Sequence, residues 1–315
     1  MKAAIVAGPN QIPVYADFKD PTPQPGQELI TVAAAALSNF AKFRTSSGSV
    51  QFPIVAGVDG VGLNEKGQRL YFILPTAPFG AMAEKVLVKS ENCFPLPEDL
   101  DNVTAAAIAN PGMSSMAALK KRAVLQPGET VLINGATGNA GKLAVQIAKY
   151  LGAKKIIATG RDAAALRKAK DLGAEVTINL TLEPKALEEA FAEQFRGNGV
   201  DVILDYLYGP SAQILLTALA KNNQGSKPIR YVEIGAVGGP EIQLPGAILR
   251  ALPIALMGSG VGSVSLKDSL AAIQDVMKAV GPAKLEIDTT VVPLADVEKT
   301  WNETSGKTRL VYVTR

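Results

Sequence analysis

One segment of the sequence constrains the fold more strongly than any other. The apolar stretch Thr130–Asn134 has the composition of a buried strand, and the glycine-rich turn Gly135–Gly141 leads from it into a helical pattern. Helical spacing places one stripe of apolar residues on a single face: Ala140, Leu143, Ala144, Ile147, Ala148 and Leu151. A strand, a tight turn and a buried helix in this order predict a βαβ unit in a parallel sheet.

The same turn predicts a ligand. Aligned with the dinucleotide fingerprint G-x-G-x-x-G, it reads Ala136-x-Gly138-x-x-Gly141, with alanine in the first glycine slot. Gly138 would let the backbone approach a pyrophosphate, and the amides at the helix N-terminus would hold the phosphates. The predicted contacts in this turn are Ala136, Thr137, Gly138, Asn139 and Ala140. A merely tight turn is the alternative interpretation.

The end of the next strand indicates which dinucleotide the turn would hold. A site for NAD usually places an acid there, where it binds the ribose 2′-hydroxyl. Here Ile156–Gly160 ends in glycine, and Arg161 follows. Glycine leaves room for a 2′-phosphate, and arginine can pair with it bidentately. We therefore predict NADPH as the cofactor, with Gly160 and Arg161 at the phosphate; a solvated surface charge is the other interpretation of Arg161.

The remaining pattern predicts two domains in the 315 residues. Residues 1–105 carry short apolar runs separated by turn signals, which are typical of a β-rich domain. Residues 106–262 alternate strand and helix patterns, as a doubly wound Rossmann sheet does. The predicted strands of this sheet are Thr130–Asn134, Lys155–Gly160, Val176–Leu180, Val200–Tyr206, Arg230–Gly235 and Ile254–Gly258. We expect residues 263–315 to return to the first domain.

Composition excludes several kinds of chemistry. The chain has no histidine and one cysteine, Cys93, so it cannot assemble the His and Cys ligands of a catalytic or structural zinc. Nucleophile systems that need histidine are excluded for the same reason. A net charge of +3, without a concentrated basic segment, does not indicate nucleic-acid binding. The longest apolar run, 247–257, is broken by Arg250 and Pro253, so no membrane span is predicted. The single cysteine fits a cytoplasmic location.

Several stretches resemble the zinc-independent, quinone oxidoreductase-like branch of the medium-chain dehydrogenase/reductase superfamily. The matching stretches are Pro127–Ile133, Gly135–Gly141, Ala144–Lys149, Lys168–Ala174, Met1–Ala4 and Gly306–Val313. The resemblance implies a GroES-like domain built from both ends of the chain, and hydride transfer from NADPH to a quinone or an activated alkene. The chain departs from zinc-dependent alcohol dehydrogenases at every metal position. It also departs from the asparagine–proline–aspartate pattern of many quinone oxidoreductases, of which only Asn39 is kept.

The remaining site predictions combine strand ends with this resemblance. Asn110 and Met113 are placed near the nicotinamide by resemblance, although a helix-entry turn is an equal interpretation. Glycine-rich strand ends permit close approach to the cofactor, and the residues concerned are Gly235, Ala236, Val237, Gly258 and Ser259. Tyr206 is a candidate proton donor and cofactor contact, although an ordinary half-exposed tyrosine is the favoured interpretation. Asn39, Tyr71 and Tyr208 are candidates for the substrate pocket, Lys42 and Arg44 for binding an anion, and Cys93 for packing.

Two functions remain open from the sequence. An NADPH-dependent reductase of quinones or α,β-unsaturated carbonyl compounds is favoured, because alcohol oxidation would need groups that polarise the oxygen. A non-catalytic NADPH-binding sensor or structural protein is the alternative. The apolar strand Ile254–Gly258 would be a sheet edge, which together with the resemblance predicts a homodimer.

Overall fold

A computed structural model describes residues 1–46, 50–196, 199–223, 225, 227–303 and 308–314. The chain divides into two compact units, Met1–Asn110 with Glu286–Arg315, and Pro111–Leu285. The sequence boundaries at 105 and 262 differ from these, mainly because the helix after residue 262 belongs to the second unit. No helix in the described ranges is long and apolar enough to cross a membrane.

The first unit is built mainly from antiparallel strands. Its elements are β1 (Lys2–Val6), β2 (Val14–Asp17), β3 (Gln27–Ala36), α1 (Asn39–Ser46), β4 (Ile54–Val55), β5 (Asp59–Asn64), β6 (Arg69–Ile73), β7 (Lys85–Lys89) and β8 (Cys93–Pro95). Helix α2 (Asn102–Ala117) leads into the second unit and continues as a π-helical segment, Ala118–Arg122. The apolar run 81–88 pairs as a strand with β3 only from residue 85, because the backbone of Met82 bonds to Ala4 and Ala56 instead.

The second unit contains a six-stranded sheet. Its elements are β9 (Thr130–Asn134), α3 (Asn139–Tyr150), β10 (Lys155–Gly160), α4 (Ala163–Asp171), β11 (Val176–Asn179), α5 (Pro184–Phe195), β12 (Val202–Asp205), α6 (Gly209–Asn222), β13 (Ile229–Glu233), α7 (Gly246–Ala251), β14 (Ile254–Gly258) and α8 (Leu266–Ala283). The strand order is β11-β10-β9-β12-β13-β14, and every neighbouring pair is parallel. This is the doubly wound Rossmann order, whose direction reverses between β9 and β12. The six strands predicted from the sequence are confirmed.

The chain then returns to the first unit through β15 (Thr289–Pro293), α9 (Val297–Thr300) and β16 (Arg309–Val313). Strand β16 pairs antiparallel with β3, and β15 pairs parallel with β16. One sheet therefore has the order β15-β16-β3-β5-β6-β8, with β7 also pairing with β3, and a smaller sheet has the order β2-β1-β4.

Each unit has its own apolar core. In the first unit the buried side chains include Ile30, Ile54, Phe72, Met82 and Tyr312. In the second unit one face of the parallel sheet packs on α5 and α6, and the buried side chains include Leu132, Phe191, Phe195, Ile203 and Leu215. Strands β9 and β12 are buried along their whole length, as expected for a parallel sheet covered on both faces.

Candidate functional site

The turn after β9 has the geometry that the fingerprint predicts. A Cβ added at Gly141 would lie 2.2 Å from the carbonyl oxygen of Gly135, so only glycine lets α3 approach the turn this closely. A Cβ at Gly138 would meet nothing within 4 Å, so the space beside the turn is open. Gly138 is the N-cap of α3, and no side chain caps this helix. The first amides of α3 are therefore free to bind an anion beside an open turn.

The end of β10 lies against this turn. Gly160 is buried, and a Cβ built on it would lie 2.2 Å from Cγ2 and 2.8 Å from Oγ1 of Thr137. The next residue, Arg161, is exposed. Asp162 caps α4 by accepting a hydrogen bond of 2.8 Å from the amide of Ala165. Arg161 is thus a cation directly after β10. The glycine-rich turn Gly135–Gly141, against which Gly160 lies, is called the phosphate turn below.

A row of hydrogen-bonding side chains crosses the sheet at its carboxyl edge. Asn134 of β9 is in register with Asp205 of β12, which is in register with Glu233 of β13. Thr159 Oγ1 donates to Asn134 Oδ1 over 2.8 Å, and Asn134 Nδ2 donates to Asp205 Oδ1 over 2.9 Å. Thr159 Oγ1 also accepts from the amide of Gly135, over 3.0 Å. The row therefore ties the phosphate turn to three neighbouring strands.

Asp205 organises the turn that follows β12. Its Oδ1 accepts hydrogen bonds from the amides of Leu207, at 2.8 Å, and Tyr208, at 3.0 Å. Its Oδ2 accepts a hydrogen bond from the hydroxyl of Tyr231, and burial together with this carboxylate raises the pKa of that phenol. Tyr208 has a φ of 54°, which a tyrosine rarely adopts. Asp205 thus holds a strained residue at the edge where the cofactor is predicted to bind.

Tyr206 does not have the surroundings of a proton donor. It is buried, and its hydroxyl lies 2.8 Å from Oγ of Ser115, which also contacts the carbonyl of Ala140 at 3.2 Å. Burial raises the pKa of the Tyr206 phenol, which makes it a weaker acid. The contacts favour a supporting role, in which Tyr206 and Ser115 brace the first turn of α3, over the catalytic role considered from the sequence.

A cavity of about 470 Å³ opens at the same edge. It brings together three predicted site residues, Tyr208, Ala236 and Gly258. Its apolar wall includes Leu216, Ile242 and Leu256. Glu233 supplies a carboxyl group, whose pKa is raised by partial burial and by Asp205. An apolar cavity with a few polar groups is the usual form of a small-molecule site.

The other predicted cofactor contacts follow β13 and β14 or lie in α2. Gly235 and the exposed Val237 follow β13, and the amide of Ser259 donates to the carbonyl of Glu233 over 2.7 Å. Met113 lies in α2, half-buried. Asn110 lies in the same helix but on the first unit's side of the boundary. The helix-entry interpretation of this segment is wrong, because α2 runs through it.

In the first unit, the structure corrects the prediction for Tyr71. The ring is fully buried, and its hydroxyl donates to Asp59 Oδ2 over 2.9 Å, so Tyr71 is a core residue. Asp59 is fully buried as well, and the nearby charge of Arg309 partly offsets the cost of its burial. Sequence reasoning missed this group because its three members lie on three separate strands, β5, β6 and β16.

The remaining candidates of the first unit lie in or near α1. Asn39 is exposed at its first position. Partial burial lowers the pKa of both Lys42 and Arg44. Cys93 is half-buried; burial raises the pKa of its thiol to about 12, and the thiol donates to the carbonyl of Lys89, which fits the predicted packing role.

Comparison with known proteins decides the family. The sequence model of the zinc-binding dehydrogenase family matches residues 140–278. A probable NADPH-dependent quinone reductase of Emericella nidulans is 29% identical, covering 99% of this chain and 100% of that protein. A 2-haloacrylate reductase of a Burkholderia species is 30% identical, covering 74% of this chain and 76% of that protein. The chain belongs to the quinone oxidoreductase-like branch of the medium-chain dehydrogenase/reductase family.

Solved structures of this family agree with the fold. The quinone oxidoreductase of Thermus thermophilus, also solved with NADPH, is 26% identical with a TM-score of 0.81, covering 99% of this chain and 100% of that one. A mycobacterial quinone oxidoreductase, 20% identical, has a TM-score of 0.84 over 99% of both chains. Although the matching family model is described as zinc-binding, this chain has no histidine, and no group of three potential ligands occurs among the described residues.

Proposed function

We propose that the protein is a zinc-independent oxidoreductase that uses NADPH to reduce quinones or α,β-unsaturated carbonyl compounds. One observation carries the proposal: the open phosphate turn lies against Gly160, the last residue of β10, and Arg161 follows directly. The chain also lacks the histidines that a zinc-dependent member of the family would need. The names of the two relatives, a quinone reductase and a 2-haloacrylate reductase, support both the cofactor and the substrate class.

The described residues fit this cofactor. The uncapped amides of α3 at Asn139 and Ala140 bind the pyrophosphate, and Gly138 leaves it room. Arg161 binds the 2′-phosphate. Asp205 fixes the turn after β12 beside the cavity that Tyr208, Ala236 and Gly258 line. When bound, NADPH supplies the hydride, and the chain positions the acceptor.

The proton that completes the reduction comes from water. A quinone or enone that has accepted a hydride carries an oxyanion or enolate, which water protonates readily. The hydroxyl of Tyr206 is buried against Ser115, and burial raises its pKa, which makes it a weaker donor. Simple alcohols are poor substrates, because the chain has no histidine and only one cysteine with which to bind a zinc that would polarise their oxygen.

Assembly and location belong to the same proposal. The described part of β14 pairs with β13 alone, so its outer edge is open, and Leu256 on it is 41% exposed. An apolar open edge favours pairing with a second copy, and we propose a homodimer. A cytoplasmic location is consistent with the single cysteine.

The test is steady-state oxidation of NADPH with a panel of quinones and enones, beside NADP⁺ reduction with simple alcohols. We expect turnover with at least one quinone or enone, and a rate unchanged by a zinc chelator. Faster turnover of alcohols, or loss of activity with removal of stoichiometric zinc, would contradict the proposal. Tight NADPH binding without turnover of any acceptor would assign the alternative, a non-catalytic binding protein.

A further inference from the structure

The conformation of Gly160 does not explain why this position holds glycine. Several glycines of this chain have a positive φ, but Gly160 does not. Its backbone conformation is therefore one that any L residue can adopt. Space is the obstacle. A Cβ at position 160 would lie 2.2 Å from Cγ2, 2.8 Å from Oγ1 and 3.1 Å from Cβ of Thr137. The side chain of Thr137 thus occupies the volume into which a side chain at residue 160 would extend.

Thr137 cannot easily move away. The turn that carries it is bonded to β10 directly before the contact: the amide of Ala136 donates to the carbonyl of Thr159 over 2.8 Å, and the amide of Gly135 donates to Thr159 Oγ1 over 3.0 Å. On the far side, the carbonyl of Gly160 accepts from the amide of Leu180 over 2.8 Å. Rotation about χ1 to another staggered rotamer would still leave one heavy atom in a position now held by Cγ2, at 2.2 Å, or by Oγ1, at 2.8 Å.

We propose that Thr137 is a specificity-determining residue for the cofactor. Position 160 is where an acid would bind the ribose 2′-hydroxyl of NADH and repel a 2′-phosphate. By filling that volume from the phosphate turn, Thr137 excludes the acid, while Arg161 supplies the attraction for the phosphate. Cofactor specificity then has two sources on different segments: Thr137 in the phosphate turn excludes the acid, and Arg161 after β10 attracts the 2′-phosphate. The inference rests on the proposed use of NADPH and adds that residues 137 and 160 can change only together.

The steric half of the proposal is tested without any cofactor. Gly160→Ala is made in three backgrounds, namely wild type, Thr137→Val and Thr137→Ala, and the unfolding equilibrium of each protein is measured in denaturant. Valine keeps the volume of threonine and loses only the hydroxyl, so it is the matched control. Overpacking should raise the unfolding constant about tenfold or more in the wild-type and valine backgrounds, and by less than about threefold in the alanine background. An equal effect in all three backgrounds would overturn the coupling.

The specificity half is tested by binding of two cofactor fragments, adenosine 2′,5′-bisphosphate and 5′-AMP, measured by titration calorimetry. In the Thr137→Ala background, Gly160→Asp should lower the preference for the bisphosphate at least tenfold. In the wild-type background, the same change should weaken the binding of both fragments, because the aspartate side chain would displace the phosphate turn that carries Thr137. If Gly160→Asp alone reversed the preference at unchanged stability, Thr137 would not be the excluding residue.

The two halves separate failure of this inference from failure of the proposed function. A wild-type protein that binds 5′-AMP and the bisphosphate with equal affinity would refute the NADPH assignment, and with it the role of Thr137 in specificity. The unfolding measurements would still decide whether Thr137 and Gly160 are sterically coupled, since they involve no ligand. A wild type that prefers the bisphosphate, combined with uncoupled stabilities, would overturn the inference and leave the proposed function intact.

Discussion

At the scale of single residues, the volume beside Gly160 is filled from a different segment of the chain. The side chain of Thr137 occupies it, and Arg161 follows Gly160 as an exposed cation. Because Gly160 and Arg161 are adjacent in the chain, the fingerprint predicts them together as a phosphate site, whereas the steric role of Thr137 could not be predicted. The contact of Tyr71 with Asp59 could not be predicted for a similar reason, since Asp59 lies on the neighbouring strand.

Arg161→Ala should weaken NADPH binding about ten- to hundredfold. A charge-assisted hydrogen bond to the 2′-phosphate contributes roughly 1.5–3 kcal/mol, and about 1.4 kcal/mol corresponds to one decade of affinity. NADH has no 2′-phosphate, so its dissociation constant should barely change. The measurement is the dissociation constant of both cofactors, with Arg167→Ala, an exposed arginine on α4, as the matched control. Equal losses for both cofactors would place Arg161 outside the phosphate site.

Tyr206→Phe should affect stability more than chemistry. The change removes one buried hydrogen bond, to Ser115, and should lower the free energy of unfolding by about 0.5–1.5 kcal/mol. It should lower kcat by less than about tenfold, because water supplies the proton. General acid catalysis contributes roughly 10²–10⁴-fold, so a loss of kcat in that range, with a changed pH profile, would restore the catalytic role considered from the sequence.

At the scale of elements, the sequence predicted which strands and helices exist better than how they meet. Thr130–Asn134 and Lys155–Gly160 were predicted to the residue, because buried parallel strands are short apolar runs with clear ends. The edge strand Ile254–Gly258 was also predicted to the residue, because it is an apolar run bounded by Pro253. The hydrogen bonds that join the strand ends were not predicted. Asn134 and Asp205 are the polar last residues of apolar strands, which is a usable signal, but their contact depends on β9 and β12 being neighbours.

The buried carboxyl group of the first unit should make stability depend on pH. Burial raises the pKa of Asp59 from 3.8 to about 6, against the opposing charge of Arg309. Between these values the folded state holds a proton that the unfolded state has lost, so stability falls as the pH rises through this window, by up to about 1.4 kcal/mol per pH unit. Asp59→Asn, which keeps an acceptor for Tyr71, should remove this contribution.

The measurement is the free energy of unfolding of wild type and Asp59→Asn at several pH values from about 4 to 7. The difference between the two proteins isolates the contribution of Asp59 from that of other carboxyl groups, and Asp99→Asn is the matched control at an exposed site. A difference that stays constant across the window would show that folding does not shift the pKa of Asp59, and one that grows in favour of the wild type as the pH rises would show that folding lowers it.

At the scale of the whole molecule, the unpaired edge of β14 predicts the oligomeric state. Leu256→Lys puts a charge on this edge and should convert a dimer into a monomer, because edge lysines oppose strand pairing. Light scattering at micromolar concentration gives the mass, and Leu63→Lys, at a leucine on β5 that is exposed to a similar degree, is the matched control. A wild type that is already monomeric, or a Leu256→Lys protein that stays dimeric, would contradict the proposed edge.

The division of the chain into two units also determines the order in which they can be completed during translation. Strand β3 ends at Ala36, but its partner β16 begins at Arg309, about 270 residues later. At roughly 5–20 residues per second, a ribosome needs about 14–55 s to cover that distance. The second unit is continuous in the chain and is complete before β16 is made. During translation, the edge of β3 at residues 34–36 therefore stays open while the neighbouring unit can already fold, and a late stop codon would leave it open permanently.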